Sequence, residues 1–401
     1  MPQQLSIGLF GFGSVGSGIY HVLKKKPSPE IQLKTIVVKN KDKPRSIDSS
    51  QFSYAAEDIL EDEDINVVLE LIDDADAAFH IVKQALIQKK HVVSANKKML
   101  AEHFEELITL AQKQNVSLLY EAAVCGSIPV IRTLEESFGY DALTALKSIS
   151  NGTSNYVLTR LFQNPQPFEE IITDAQNHGF AESDPTLDID GWDTKFKLIL
   201  KNYHGFGVLH APEDILNLGI RHVKPEDIEF AREKDLSIKL IGHSRMEDRR
   251  LETYVAPQFI PTSEAITGID FENNAVQIDA EFAHQHLLQG KGAGSIPTAS
   301  AVLSDLVSLL KGYAYPYSKV RKGIPEPESQ TPEVVFDPEK LIKVYISSYA
   351  REDLEPFRFK ERILCGTQKQ LQYKIGKLTL DHLKEQVKHS NAEVFIAVFP
   401  D

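Results

Sequence analysis

Cysteine is nearly absent: the 401 residues hold only Cys125 and Cys365. Two thiols cannot build a disulfide framework, and no CxxC or Cys/His cluster offers a zinc site. A chain of this kind suits a reducing compartment, so a cytoplasmic location is expected. Long apolar runs are missing too, and none approaches the ~20 residues that cross a bilayer. No membrane partner is expected. The chain starts almost directly with the apolar run Leu5–Phe10, without a basic stretch and long apolar segment before it, so no secretory signal is expected. Positive charge is in deficit. A formal net charge of −13 disfavours a nucleic-acid partner, because phosphate binding calls for a basic surface.

What remains is an ordinary globular composition, 42% hydrophobic and 25% charged, long enough for two or three domains. The first third alternates strand-like and helix-like segments. Leu5–Phe10, Ile31–Val38, Val67–Ile72, His91–Val93 and Val116–Tyr120 are short apolar runs; helical spacing marks Ile19–Leu23, Ala77–Ile87 and Leu100–Gln112. That alternation predicts an α/β fold with a Rossmann-type, doubly wound parallel sheet over residues 1–130. Residues 131–321 read as an α+β substrate and dimerisation domain, with helices near Asn155–Leu161, Phe168–Asn177 and Trp192–Tyr203. β-rich stretches follow at Leu251–Phe259 and Ala275–Phe282. A helix at 298–311, preceded by Pro297, is expected to return to the first domain. Residues 322–338, rich in Pro, Glu and Ser, read as a linker. Residues 339–401 read as a small α+β C-terminal appendage.

Gly11-Phe12-Gly13-Ser14-Val15-Gly16 is a GxGxxG placed where the first strand meets the first helix. The first glycine makes the tight turn, the second lets a pyrophosphate approach the backbone, and the third lets helix pack on strand. The helix N-terminus adds free N–H groups and a partial positive charge. A bare glycine turn is the bland alternative, but the alternating α/β context favours dinucleotide binding. NAD-specific sites usually carry an acid at the end of the second strand. Here Lys39, Lys41, Lys43 and Arg45 stand instead, which suits a 2′-phosphate and so NADP(H), with NAD(H) still possible.

Asp193 and Lys197 lie four apart on an expected helix, hence on one face, beside the apolar residues Trp192, Phe196, Ile199, Leu200 and Tyr203. By themselves they could be a surface ion pair or a partly buried acid–base pair. The surrounding run decides between these. Ala175, Gly179, Ala181, Asp184, Pro185, Asp188, Gly191, Asp193 and Lys197 fall at the spacing of the homoserine dehydrogenase signature, and the chain resembles that family from its start to about Leu310. Ser94-Ala95-Asn96-Lys97-Lys98, Tyr120 to Val124, Asn151 to Tyr156 and Gly292-Ala293-Gly294 to Ala301 carry the same likeness.

The resemblance implies reversible NAD(P)-dependent hydride transfer between homoserine and aspartate 4-semialdehyde, in threonine, methionine and isoleucine biosynthesis. It implies Lys197 as proton donor and acceptor, with Lys97 and Asp193 as further active-site groups. Glu182, Asp188 and Asp193 would meet the substrate's ammonium, although Asp188 also fits a plain turn residue. Gly11 to Gly16, Lys39, Ser94, Lys97 and Gly294 would line the cofactor. Glu121, Val124, Gly126 and Ile128 match a loop that in relatives binds sodium, mostly through main-chain carbonyls. Cys125, in that loop with no His nearby in sequence, reads as a packed residue rather than a nucleophile.

A homodimer is implied as well. The family often carries a C-terminal ACT-type regulatory domain, and residues 339–401 have its strand–helix–strand flavour without a glycine in the turn Ser347 to Asp353. With the dinucleotide-binding strand at the start, no N-terminal kinase fusion is expected. A related amino-acid dehydrogenase and a non-catalytic NADP sensor are the alternatives; a sensor has no need of Lys97 and Lys197.

Overall fold

Strand β1 (Leu5–Phe10) is buried along nearly its whole length and breaks into the glycine turn, where α1 (Ser14–Lys25) begins. There follow β2 (Ile31–Val37), α2 (Glu57–Leu60), β3 (Val67–Glu70), α3 (Ala75–Ile87), β4 (His91–Ser94), α4 (Lys97–Gln114) and β5 (Leu118–Leu119). Helix starts are set by short polar side chains. The Asp74 carboxylate accepts from Ala77 N at 3.0 Å, and Asn96 Oδ1 accepts from Met99 N at 2.9 Å, each satisfying an N–H that has no partner within the helix. The strands form one parallel sheet in the order β2-β1-β3-β4-β5, as the alternation predicts. Its crossover lies between β1 and β3. In register, Phe10 faces Glu70 and Glu70 faces Ser94, so three carboxyl ends finish level beside the glycine turn.

The computed structural model describes residues 4–164, 166–317, 319, 335–389 and 393–400. The chain divides into two compact units, Met1–Gly139 with Lys291–Lys319, and Tyr140–Gly290 with Val320–Asp401. The first unit thus runs past the boundary expected at 130. Two short helices, α5 (Glu121–Cys125) and α6 (Val130–Arg132), explain this: the Glu121 carboxylate accepts the N–H groups of Ile131 and Arg132 and keeps that stretch attached.

The second unit contains β6 (Leu143–Ile149), α7 (Gly152–Gln163), α8 (Phe168–Asn177), α9 (Thr186–Ile189), α10 (Trp192–Phe206) and α11 (Pro225–Arg232). Strands β7 (Leu236–Glu247), β8 (Arg250–Pro261), β9 (Asn273–Ala280) and β10 (His284–Lys291) follow, after which α12 (Ser295–Leu310) belongs to the first unit. Among the described residues, no helix is long and apolar enough to cross a membrane.

The C-terminal segment departs from expectation. It consists of β11 (Val335–Phe336), β12 (Leu341–Ser348), β13 (Glu361–Gln368), β14 (Leu371–Thr379), α13 (Leu380–His389) and β15 (Phe395–Phe399). Of the linker expected at 322–338, residues 322–334 lie outside the described residues. Its end is not a linker: β11 pairs with β8, and Asp337 N donates to the Leu251 carbonyl. Nor is 339–401 a separate appendage. Its strands continue the second sheet, whose order is β10-β9-β6-β7-β8-β15-β12-β14-β13. Ile342, Val344, Ile346 and Val398 share one buried apolar cluster with Leu216, Leu218, Tyr254 and Ala256. Apolar strands of this length cannot bury both faces alone, so they complete a core begun by β8.

Asp227 on α11 ties the same segment by polar contacts. Its carboxylate, fully buried, accepts from Tyr345 Oη at 2.8 Å, Ser347 Oγ at 2.7 Å and Lys224 N at 2.8 Å. Burial pushes this carboxyl up to about 6, against the pull of its hydrogen bonds. Removing one donor raises it further, so the Tyr345→Phe protein loses stability more steeply as pH rises through that value. We expect the substitution to cost about 1.5–3 kcal/mol at pH 8, where the carboxylate is charged, and about 1 kcal/mol at pH 5. Urea denaturation at the two pH values measures this, and equal losses would contradict it.

Candidate active site

At the glycine turn, Gly11 has φ +95°, and a Cβ there would strike the Leu71 carbonyl; one on Gly16 would strike the Gly11 carbonyl. These two glycines are required by the fold itself. Gly13 differs, because a Cβ on it would meet nothing within 4 Å. It opens onto free space at the N-terminus of α1, the room a pyrophosphate needs. The Phe12 ring turns inward, 5.0 Å from the Phe52 ring and 5.7 Å from Tyr20, leaving its backbone to the turn. Ser14 is exposed and Val15 half-buried. The Ser14 carbonyl accepts from Ser295 Oγ at 2.6 Å, and Gly294, at φ +110°, leads into α12. The residues present fit a dinucleotide.

Lys39 is exposed just beyond β2, as are Lys41 and Lys43. Lys41 Nζ lies 4.7 Å over the Tyr54 ring and the Arg45 guanidinium 5.1 Å over Phe52, so aromatic faces hold two of the four cations. Ser94 is fully buried; it donates to Glu70 Oε2 at 2.5 Å and accepts from Asn96 N at 3.1 Å. Lys97, half-buried, opens α4 directly after this network, while Lys98 is exposed and lies 3.9 Å from Glu102. Sequence reasoning missed Glu70. Burial pushes its carboxyl up to about 7, opposed by the hydrogen bonds from Ser94 and Ile72. An acid inside the apolar run Val67–Ile72 was the available signal.

In the loop expected to hold sodium, the Glu121 carboxylate is committed to Ile131 N at 2.7 Å and Arg132 N at 3.0 Å. Burial pushes it up to about 7. Gly126, at φ +53°, turns the chain, and the Ile128 carbonyl already accepts from Val130 N at 2.9 Å. Among the described residues no group of three or more His, Cys, Asp or Glu could hold a metal ion. Cys125 is fully buried.

The second unit assembles Asp188, Asp193 and Lys197 around a residue that the sequence reading left unassigned, Asn151. This asparagine caps α7 through Oδ1, which accepts from Ser154 N at 2.8 Å. Its Nδ2 donates to Asp188 Oδ1 at 2.6 Å and to Asp193 Oδ2 at 3.0 Å. Thr153 donates to the other Asp188 oxygen at 2.9 Å. Burial and then the neighbouring Asp193 raise the Asp188 carboxyl, against these hydrogen bonds. Lys197, nine-tenths buried, donates to Asp193 Oδ2 and to the Ser150 carbonyl, both at 2.7 Å. The surface-pair alternative is thereby excluded. Glu182 is not part of this network: it is exposed on the stretch after Ala181, where its carbonyl accepts from Gln176. The arrangement offers a held ammonium, two paired acids and, nearby in sequence, an exposed carboxylate.

Comparison with known proteins gives the same direction. The family model described as homoserine dehydrogenase matches residues 129–307, and that described as homoserine dehydrogenase, NAD binding domain, matches residues 11–121. The homoserine dehydrogenase of Bacillus subtilis is 34% identical over 318 residues, covering 77% of this chain and 73% of that one. That of Helicobacter pylori is 36% identical over 318 residues, with 78% and 75% covered. A homoserine dehydrogenase structure from Thiobacillus denitrificans superposes with a TM-score of 0.82 at 28% identity, over 99% of this chain and 98% of that one.

The glycine turn yields a contrast between two substitutions. Gly13→Ala should leave the thermal midpoint unchanged and weaken dinucleotide binding about tenfold by filling the open space. Gly16→Ala should cost about 1–3 kcal/mol of stability, the usual penalty for overpacking. Thermal denaturation and cofactor titration by fluorescence separate them; a Gly13→Ala protein that binds normally would refute the assigned space.

Proposed function

The chain belongs to the homoserine dehydrogenase family, and from that premise we propose which of its residues carry the reaction. It is an NAD(P)-dependent oxidoreductase that interconverts homoserine and aspartate semialdehyde. When bound, the nicotinamide supplies or accepts the hydride. Lys197, as the neutral amine, takes the hydroxyl proton as the alcohol becomes an aldehyde and so becomes the ammonium that Asp193 and Ser150 hold; in the reverse direction that ammonium gives the proton to the oxygen and the neutral amine is left. The observation that supports this role is its Nζ, held at 2.7 Å by both Asp193 and the Ser150 carbonyl in a nearly dry setting. Asp193 orients it.

Glu182 and Asp188 answer the substrate's ammonium together with Asp193. Asp188 keeps spare lone pairs beside the two bonds it already accepts, and Glu182 is open to solvent. Lys97 serves as the second active-site lysine on the cofactor's side, and Ser94 supports it through Asn96. The turn Gly11 to Gly16, with Gly294 before α12, receives the cofactor. Lys39, exposed where an acid would mark NAD, gives a preference for NADP(H). Carbonyls of Glu121, Val124, Gly126 and Ile128 would hold a sodium ion. A cytoplasmic homodimer in threonine, methionine and isoleucine biosynthesis completes the reading, with no nucleic-acid or membrane partner.

Two experiments test it. Lys197→Ala should keep cofactor affinity but reduce kcat by roughly 10²–10⁴-fold, and turnover within a factor of two of wild type would remove the role. Lys39→Glu should weaken NADP⁺ selectively, because a charge reversal faces the 2′-phosphate. Titration of both cofactors checks this; an unaltered ratio of the two affinities would speak against the NADP preference.

A further inference from the structure

Lys201 lies on α10 one turn beyond Lys197, hence on the same face, and is completely buried. Its Nζ donates to Ser148 Oγ at 2.5 Å and to Ser150 Oγ at 2.6 Å. Ser150, itself fully buried, is therefore held twice by one helix: by its hydroxyl through Lys201 and by its carbonyl through Lys197. Ser148 sits two residues earlier on β6, where its hydroxyl also donates to the Gly242 carbonyl at 3.3 Å. The lysine thus clamps the end of β6 at the point where the chain leaves the sheet.

Taking an ammonium out of water is costly however it is partnered, and a buried ion is weak evidence of added stability. An apolar side chain would fill the same space at lower cost. What the cation holds here is the Ser150 hydroxyl, next to the carbonyl that receives Lys197. The Asn151 side chain is fixed by its own cap on α7, so what Lys201 adds is the direction of the Ser150 carbonyl that receives Lys197.

We propose that Lys201 is a positioning residue for the dehydrogenase reaction: by fixing the Ser150 hydroxyl it orients the Ser150 carbonyl and so sets where the Lys197 ammonium stands. The proposal rests on Lys197 being the proton-transfer group. Geometry of this kind acts on the step in which the proton moves. It acts little on substrate capture, because Asp188 is held by Thr153 and by Asn151, whose own side chain is fixed by its cap on α7, and Glu182 is exposed elsewhere. A misplacement of about 1 Å can cost on the order of 10²-fold in rate, and loss of one of two holding points should cost less.

Steady-state kinetics with homoserine, on the full chain, tests this with Lys201→Met and Ser150→Ala, each alone and combined with Lys197→Ala. Ser150→Ala removes the hydroxyl but keeps the carbonyl. It carries the test by itself if Lys201→Met does not fold. We expect kcat to fall about tenfold in both single variants with KM for homoserine nearly unchanged, and no further fall when either is added to Lys197→Ala. Wild-type kcat in Ser150→Ala, alongside an inactive Lys197→Ala, overturns the proposal alone. The same tenfold loss repeated in the Lys197→Ala background, or a rise in KM matching the fall in kcat, overturns it as general structural damage. A fully active Lys197→Ala removes the parent reading and this one with it.

Discussion

A single side-chain amide holds two carboxylates apart and together in the second unit. Asn151 cannot rotate freely, because its oxygen caps α7; its nitrogen must then point at Asp188 and Asp193. Three helices, α7, α9 and α10, are pinned at that point, and the acids can approach each other only because a donor stands between them. Replacing the donor would leave two like charges facing each other, Asp193 buried and Asp188 half-buried. The bond from Lys197 to Asp193 depends on Asp193 being where Asn151 keeps it.

The first unit solves a similar problem with backbone. Glu70 accepts from Ile72 N, and Glu121 accepts from the N–H groups of Ile131 and Arg132. Both carboxyls are pushed up by burial to about 7, so each is a group that the fold tolerates only because donors meet it, main-chain N–H groups and, at Glu70, the Ser94 hydroxyl. Asp227 in the second unit, with Lys224 N, follows the same pattern at about 6. Each sits at a junction: the end of β3, the start of α5 where it reaches α6, and the seam between α11 and β12. Acids in these places join segments that hydrophobic contact alone would not orient.

Much of this was readable in the chain, unevenly. The parallel sheet was legible because its strands are short apolar runs, buried on both faces except at the edge strand β2, and Phe168–Asn177 was expected with the bounds it has. The chemistry of Asp193 and Lys197 needed the whole signature, since the pair alone looks like a surface salt bridge. Strand β7 escaped because its buried stretch includes Lys239 and His243, polar residues satisfied or neutralised by contacts no sequence displays. β10 and β13 escaped for the opposite reason, being largely exposed and lacking any apolar alternation. The appendage was misjudged because its inner face completes another segment's core, a fact of tertiary pairing. Asn151 stood within a recognised motif, yet nothing in its neighbours said that one amide would serve a cap and two acids at once.

The return of α12 makes the first unit discontinuous, and that has a consequence for how the chain is born. Ser295 meets the Ser14 carbonyl across 281 residues, a closure that a disordered intervening chain would make slow. The intervening unit shortens the path. Asp141 accepts the N–H groups of Phe282 and Ala283, and Glu281 N donates to the Ala142 carbonyl, so this unit leaves at the point where it entered. During synthesis α1 precedes α12 by most of the intervening unit, so its Gly18 face stays uncovered until Ser295 has been made. The dinucleotide-binding unit is therefore closed only by residues made long after its glycine turn.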